Sequence, residues 1–170
     1  VTNAFGTDTA IYANLIEVNY AGMVNSPNCA PITTSNCCGY GIYRVNFEDI
    51  NKSSADGADS YKDYTCTDNT FLDIGSCYVI EIITGSQNPE DVKVWIDFNN
   101  DSNFDDNTEL VLESLNKYVH NGIIEIPATG LVTDTPLVMR VMSESIGNTI
   151  ESCTNLLFGQ TEDYAVVINS

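Results

Sequence analysis

The chain has 170 residues, 43% of them apolar, and 24 acids against 6 bases give a formal net charge of -18. Such a length and apolar content describe one globular domain able to bury a core, and they argue against a disordered acidic tail. The acidity argues against nucleic acid or an anionic membrane as partner, because binding by counterion release needs a basic surface.

Period-two alternation bounded by Gly, Pro, Asn, Asp and Ser predicts strands over residues 10–18, 41–50, 76–84, 92–98, 110–113, 122–126, 137–142 and 164–168. No segment carries a 3.6-residue apolar stripe over three turns. Residues 22–39, with two prolines and three cysteines, read as a surface loop, and 51–57 as a small polar loop. The expectation is an all-β fold, an antiparallel β-sandwich of jelly-roll or Ig-like Greek-key type with a disulfide-pinned loop. One module fills 1–170, with an N-terminal strand and Cys-rich loop over 1–39 and the core over 40–168. No signal peptide and no run of about 18 apolar residues is read. A start at Val1 is expected for a mature or excised segment of something longer.

The six cysteines are Cys29, Cys37, Cys38, Cys66, Cys77 and Cys153. No CxxC pair occurs and His120 is the single histidine, so the usual zinc frameworks are missing. An even count reads as disulfides formed in an oxidising compartment. Ten residues between Cys66 and Cys77 suit a bridge across a hairpin. Cys37 and Cys38 are expected to take different partners, Cys29 and Cys153, with a vicinal Cys37–Cys38 bridge as the alternative.

Chemistry concentrates in the stretch from Val94 to Glu109. Asp97, Asn99, Asp101 and Asn103 alternate as D-x-N-x-D-x-N, and Asp105 and Glu109 follow. Calcium takes roughly six to eight oxygen ligands, and alternating carboxylates and amides on a tight loop turn that many inward. The spacing resembles the first half of an EF-hand loop. Ser102 replaces its glycine, however, Thr108 stands at the twelfth position, and a strand rather than a helix leads in. The reading is a structural calcium site at a sheet edge, weighed against a solvated acidic turn.

His120, in a predicted turn, reads as a satisfied or solvated surface residue. With 24 acids, pairs of carboxylates carry no catalytic signal. Arg140 stands alone in an apolar strand, and a buried ion pair with Glu162 or Asp163 would satisfy it. Trp95 is expected in the core beside the acidic loop. Tyr20, Tyr40, Tyr43, Tyr61, Tyr64 and Tyr118 lie near loops, where exposed rings stack on the apolar faces of sugars. Tyr40, Tyr43, Tyr61, Tyr64 and Tyr118, with Lys117 and His120, are the candidate ligand-binding residues.

These segments together resemble a known family. Val94-Trp-Ile-Asp-Phe-Asn-Asn-Asp-Ser-Asn-Phe-Asp-Asp is similar to the "vWIDfN-D-G-F" signature of the GEVED domain. Ile124-Glu-Ile-Pro127 and Met139-Arg-Val141 match its "I-IP" and "MRV" segments. Cys153 and Gly159-Gln-Thr-Glu-Asp-Tyr164 stand where the family has a cysteine and then G-E-V-E-D-Y. Two departures are Gly-Gln-Thr in place of Gly-Glu-Val, and Ser102 in place of the loop glycine. The resemblance covers about residues 40 to 168 and implies a non-catalytic β-sandwich module of secreted, multi-domain bacterial proteins. The expected role is a carbohydrate-binding module beside a polysaccharide-degrading enzyme, binding an algal or other extracellular polysaccharide, sulfated glycans included. A sulfated glycan would require Arg44, Lys52, Lys62, Lys117 and His120 to gather on one face, or calcium to bridge. The alternative is a calcium-stabilised structural or adhesive module whose partner is another protein, and a free-standing hydrolase ranks last.

Overall fold

The structure, a computed structural model, describes residues 24–54 and 59–170. The strand expected over 10–18, and Tyr20, lie outside the described residues. Among the described residues ten strands form: β1 (Ile42–Phe47), β2 (Ile50–Ser53), β3 (Tyr61–Asp63), β4 (Asn69–Asp73), β5 (Cys77–Thr84), β6 (Glu90–Ile96), β7 (Leu110–Lys117), β8 (Val119–Glu125), β9 (Pro136–Ser145) and β10 (Gln160–Asn169). Among the described residues no helix forms. Two sheets stack as a β-sandwich, one ordered β2-β1-β5-β8 and the other β3-β10-β9-β6-β7.

Among these strands the pairing is antiparallel except at one edge. β3 and β4 both pair in parallel with β10, β3 along Thr161–Asp163 and β4 along Ala165–Asn169. They are in effect one edge strand interrupted by the turn at 64–68. Each is short, with three and five residues, which hides both from an alternation pattern. β2 likewise occupies residues read from sequence as loop, because Ile50 is the only apolar residue among its four.

Alternation sends two sets of side chains to opposite faces of the larger sheet. Val92, Val94, Ile96, Leu137, Met139, Val141, Tyr164 and Val166 meet Ile42, Val45, Phe47, Ile80 and Ile82 between the sheets. The intervening Trp95, Val138 and Met142 turn to the outer face, where Phe104, Ile150, Leu156 and Val24 cover them. β9 is therefore buried along its whole length, and β10 along all but its last residue. Both run past the expected strand ends, because buried polar residues at Ser143–Ser145 and Gln160–Asp163 read as loop.

The cysteine pairing differs from expectation. Cys29 bonds Cys153, and Cys37 bonds its neighbour Cys38, so neither of the latter reaches Cys29 or Cys153. Cys66 and Cys77 are free and exposed. The intervening residues are not a plain hairpin. β4 runs extended between the two cysteines, which puts them roughly 16 Å apart along its five-residue length.

Candidate functional site

The acidic loop hangs from the end of β6, whose Trp95 anchors it. The indole Nε1 donates to Asp106 at 2.8 Å, and the ring is fully buried, as the sequence led us to expect. The Asp97 carboxylate accepts the Asp101 and Ser102 N–H groups at 3.0 and 2.9 Å, and Glu109 accepts those of Asn99 and Asp105 at 3.3 and 2.9 Å. Asn99, Asp101 and Asp105 each accept the N–H two residues on, so the alternating spacing is a chain of Asx turns. Ser102 takes a φ of +70°, the left-handed conformation a glycine would adopt more readily.

Asp97 and Glu109 are only 1% and 2% exposed. Burial pushes both carboxyls above their ordinary range, with neighbouring acid charge adding to the effect, while the Asn103 N–H holds Asp101 below it. The donor set consists of hard oxygens, which suits calcium by chemistry. Its carboxylates are turned to backbone N–H groups, and among the described residues no three His, Cys, Asp or Glu gather as a metal-holding group. Beside the loop lies a cleft of about 410 Å³, lined in part by Phe98, Thr108, Glu109, Pro127 and Gly130.

Arg140 lies on the outer face of β9. It forms a fully buried bidentate pair with Asp163, Nε to Oδ1 at 2.8 Å and Nη2 to Oδ2 at 2.7 Å. Nη1 and Nη2 also donate to the Ser152 and Cys29 carbonyls, and Phe104 covers the guanidinium at 4.7 Å. Burial pushes the Asp163 carboxyl up, and Arg140 with the Tyr61 hydroxyl pulls it back. Glu162 is not a partner. As the next residue on the strand it points into the sandwich, where the Ser54, Tyr164 and Gln160 side chains donate to it. Desolvation raises its carboxyl to about 7.

The candidate ligand residues scatter. Tyr61 donates to Asp163, and Tyr64 packs on Tyr164 with Lys52 over its ring. Tyr40 stacks on Phe158 at 5.2 Å, and the Tyr43 hydroxyl donates to the Gly39 carbonyl. Tyr118 and Lys117 are exposed. His120 is wholly buried in β8, and burial lowers its pKa, so the expected surface histidine is a core residue instead. Nor do the bases gather. Lys52 pairs with Asp68 at 2.9 Å, Lys62 with Asp59 at 3.2 Å, and Arg44 Nε donates to Asn51.

The segment Gly159–Tyr164 joins several of these features. Gly159 has φ +101°, and a Cβ there would sit 2.1 Å from the Ser143 carbonyl oxygen, so only glycine fits. Gln160 is buried, accepting the Ile42 N–H while donating to Glu162. Residues 91–167 match the model of the GEVED domain. The chain carries a GEVED domain. The match spans β6 to β10, leaving β1 to β5 outside it. No curated protein and no solved structure matches the chain. Within the GEVED signature the glycine makes a close backbone approach, Glu162 points inward and Asp163 outward to Arg140. The amide at Gln160 replaces a family acid that would face the Glu162 carboxylate directly.

One anchoring residue escaped the sequence reading. Glu90 is fully buried at the start of β6 and accepts the N–H of Gly41 at 3.0 Å and of Gly85 at 3.1 Å, tying two distant loops together. Desolvation raises its carboxyl to about 7, with the Glu144 charge adding and the N–H donors opposing. In sequence, Glu90 sits in Asn88-Pro-Glu-Asp91 and looks like a turn acid; only the long-range partners reveal it.

Proposed function

We propose that the protein is a non-catalytic carbohydrate-binding module of a secreted, polysaccharide-degrading bacterial enzyme. It holds an extracellular polysaccharide by tyrosine stacking, with calcium fixing the 97–109 loop. The GEVED domain supports the module reading, through the company that the resemblance implies for such domains. The two disulfides support an oxidising, extracellular setting. The observation that carries the ligand class is the ring environment at Tyr40. It is half-buried and stacked on Phe158, with the exposed amide of Gln87 close by at Gly39.

Calcium belongs to the same proposal. Asp97 and Glu109 would hold it, and the cation would offset the mutual charge of buried acids. Affinity electrophoresis against a polysaccharide panel with calcium present tests the main reading. Retardation by at least one glycan is expected, and migration unchanged by every glycan would sink it.

A second reading, an adhesive module docking a protein, has one observation in its favour. Val79 and Ile123 are directly paired on the outer face of the smaller sheet, 65% and 68% exposed.

A further inference from the structure

Three stretches of this chain, residues 18–43, 82–89 and 152–161, contain no Asp, Glu, Lys or Arg, and the rest carries all 24 acids and 6 bases. The described parts of these stretches fold against one another. Thr34 and Ser35 donate their N–H groups to the Leu156 and Leu157 carbonyls, each at 2.9 Å. The Asn88 side chain donates to the Cys38 carbonyl at 2.8 Å, and Tyr40 stacks on Phe158. The Gly39 carbonyl comes so close to Gly85 that a Cβ there would lie 1.6 Å away. The result is one surface without ionic side chains of its own on a chain of charge -18.

The bridge within this surface has no ordinary stabilising purpose. A disulfide restricts the unfolded chain in proportion to the loop it closes. Cys29–Cys153 spans 124 residues and has that effect, whereas Cys37–Cys38 joins neighbours and closes no loop. What the vicinal bridge does supply is a fixed, exposed pair of polarizable sulfurs in the turn that leads into Tyr40, whose N–H reaches the Cys37 carbonyl.

We propose that this surface is the glycan-binding site and that its ligand is a neutral polysaccharide, an inference that rests on the carbohydrate-binding reading above. Tyr40 on Phe158, with the Cys37–Cys38 bridge, offers an apolar surface to the C–H face of a sugar ring. The exposed Gln87 amide carries both donors and an acceptor, which match hydroxyls, and Asn88 fixes the loop beside it. A sulfated or uronic glycan would require cations. None lies in these three stretches, Lys52 and Lys62 are paired with acids elsewhere, and Lys117 stands singly at the margin beside Thr84.

The test is affinity electrophoresis of the wild type and variants against a neutral β-glucan, a neutral mannan and a sulfated galactan. Melting temperatures taken alongside confirm folding. The wild type is expected to be retarded by a neutral glycan and not by the sulfated one. Tyr40→Ala is expected to weaken binding at least about tenfold, and Gln87→Ala and the Cys37→Ser/Cys38→Ser pair by a smaller factor. Gln87 is exposed, so its variant reports even where Tyr40→Ala fails to fold. Ile74→Ala, exposed ahead of the start of β5 and away from these stretches, is expected to bind as wild type. If the wild type binds a neutral glycan but none of the patch variants weakens it, this site is overturned while the carbohydrate reading stands. Retardation by the sulfated galactan alone overturns the ligand class. No retardation by any of the three overturns the inference; the wider panel above then decides the carbohydrate reading itself.

Discussion

Each disulfide of this protein adjoins a segment that reaches the site of a buried acid, and the two acids are stabilised by different means. Beneath Cys29–Cys153, Asp163 meets a guanidinium, with Cys29 itself accepting from Arg140. Just past the Cys37–Cys38 bridge, Gly41 donates its N–H to Glu90, which meets neutral donors and no cation. A full opposing charge keeps a carboxylate ionised without water, whereas dipoles only partly offset desolvation, which leaves Glu90 at about 7. The Glu90 carboxyl is thus expected to titrate near neutrality.

The largest effect should come from breaking the ion pair. Arg140→Met removes the cation and leaves Asp163 buried with only the Tyr61 hydroxyl, at a cost of about 3–5 kcal/mol in urea unfolding. A loss below about 1 kcal/mol would mean that the socket is not closed to water.

The dipole-held acid yields the next effect. The folded Glu90 carboxyl titrates near 7, above its ordinary value of 4.5, so between those values the folded state binds a proton that the unfolded state lacks. Its stabilisation is complete below pH 4.5, falls as pH rises through 7, and is flat beyond, a total on the order of 3 kcal/mol. Glu162, raised likewise to about 7, adds a similar decline. Glu90→Gln mimics the protonated form and should flatten the curve between pH 4.5 and 7 by about one proton's slope. An identical slope in the variant would refute the assignment.

The acidic loop is a third case, in which buried carboxylates have both N–H donors and other acids around them. Chelation should lower the melting temperature by several degrees, since a cation held at about 100 times its Kd stabilises by roughly 2.7 kcal/mol. Asp97→Ala should abolish the response to calcium. A melt indifferent to both calcium and chelator leaves the Asx turns as the sole support of the loop.

These contrasts also mark what sequence could reveal. Trp95, alternating with Val94 and Ile96, announced a buried ring beside the loop, and the solitary Arg140 announced a buried partner. Its choice between Glu162 and Asp163 is a matter of face, fixed once Asp163 pairs with Arg140 across β9 and β10. Alternation found the long strands but missed β3 and β4, whose three and five residues are too few to show a pattern and which pair only along β10. Glu90 and His120 were misjudged or overlooked for the same reason: polar residues read as surface until distant contacts enclose them. The vicinal bridge was legible only as one of two options, because pairing depends on which loops meet.

The smallest effect concerns the two cysteines outside the disulfides. Cys66 and Cys77 flank β4 at opposite ends and stay thiols, so Cys66→Ser and Cys77→Ser should each shift stability by less than about 0.5 kcal/mol. A bridge between them would instead make either substitution cost about 2–4 kcal/mol. Thiol titration of the unreduced protein is the direct check, and two reactive groups are expected. Finding none would imply that β4 is displaced from β10. Since β4 is what separates the two thiols, that result would also undo the parallel edge on which the Tyr61–Asp163 contact depends.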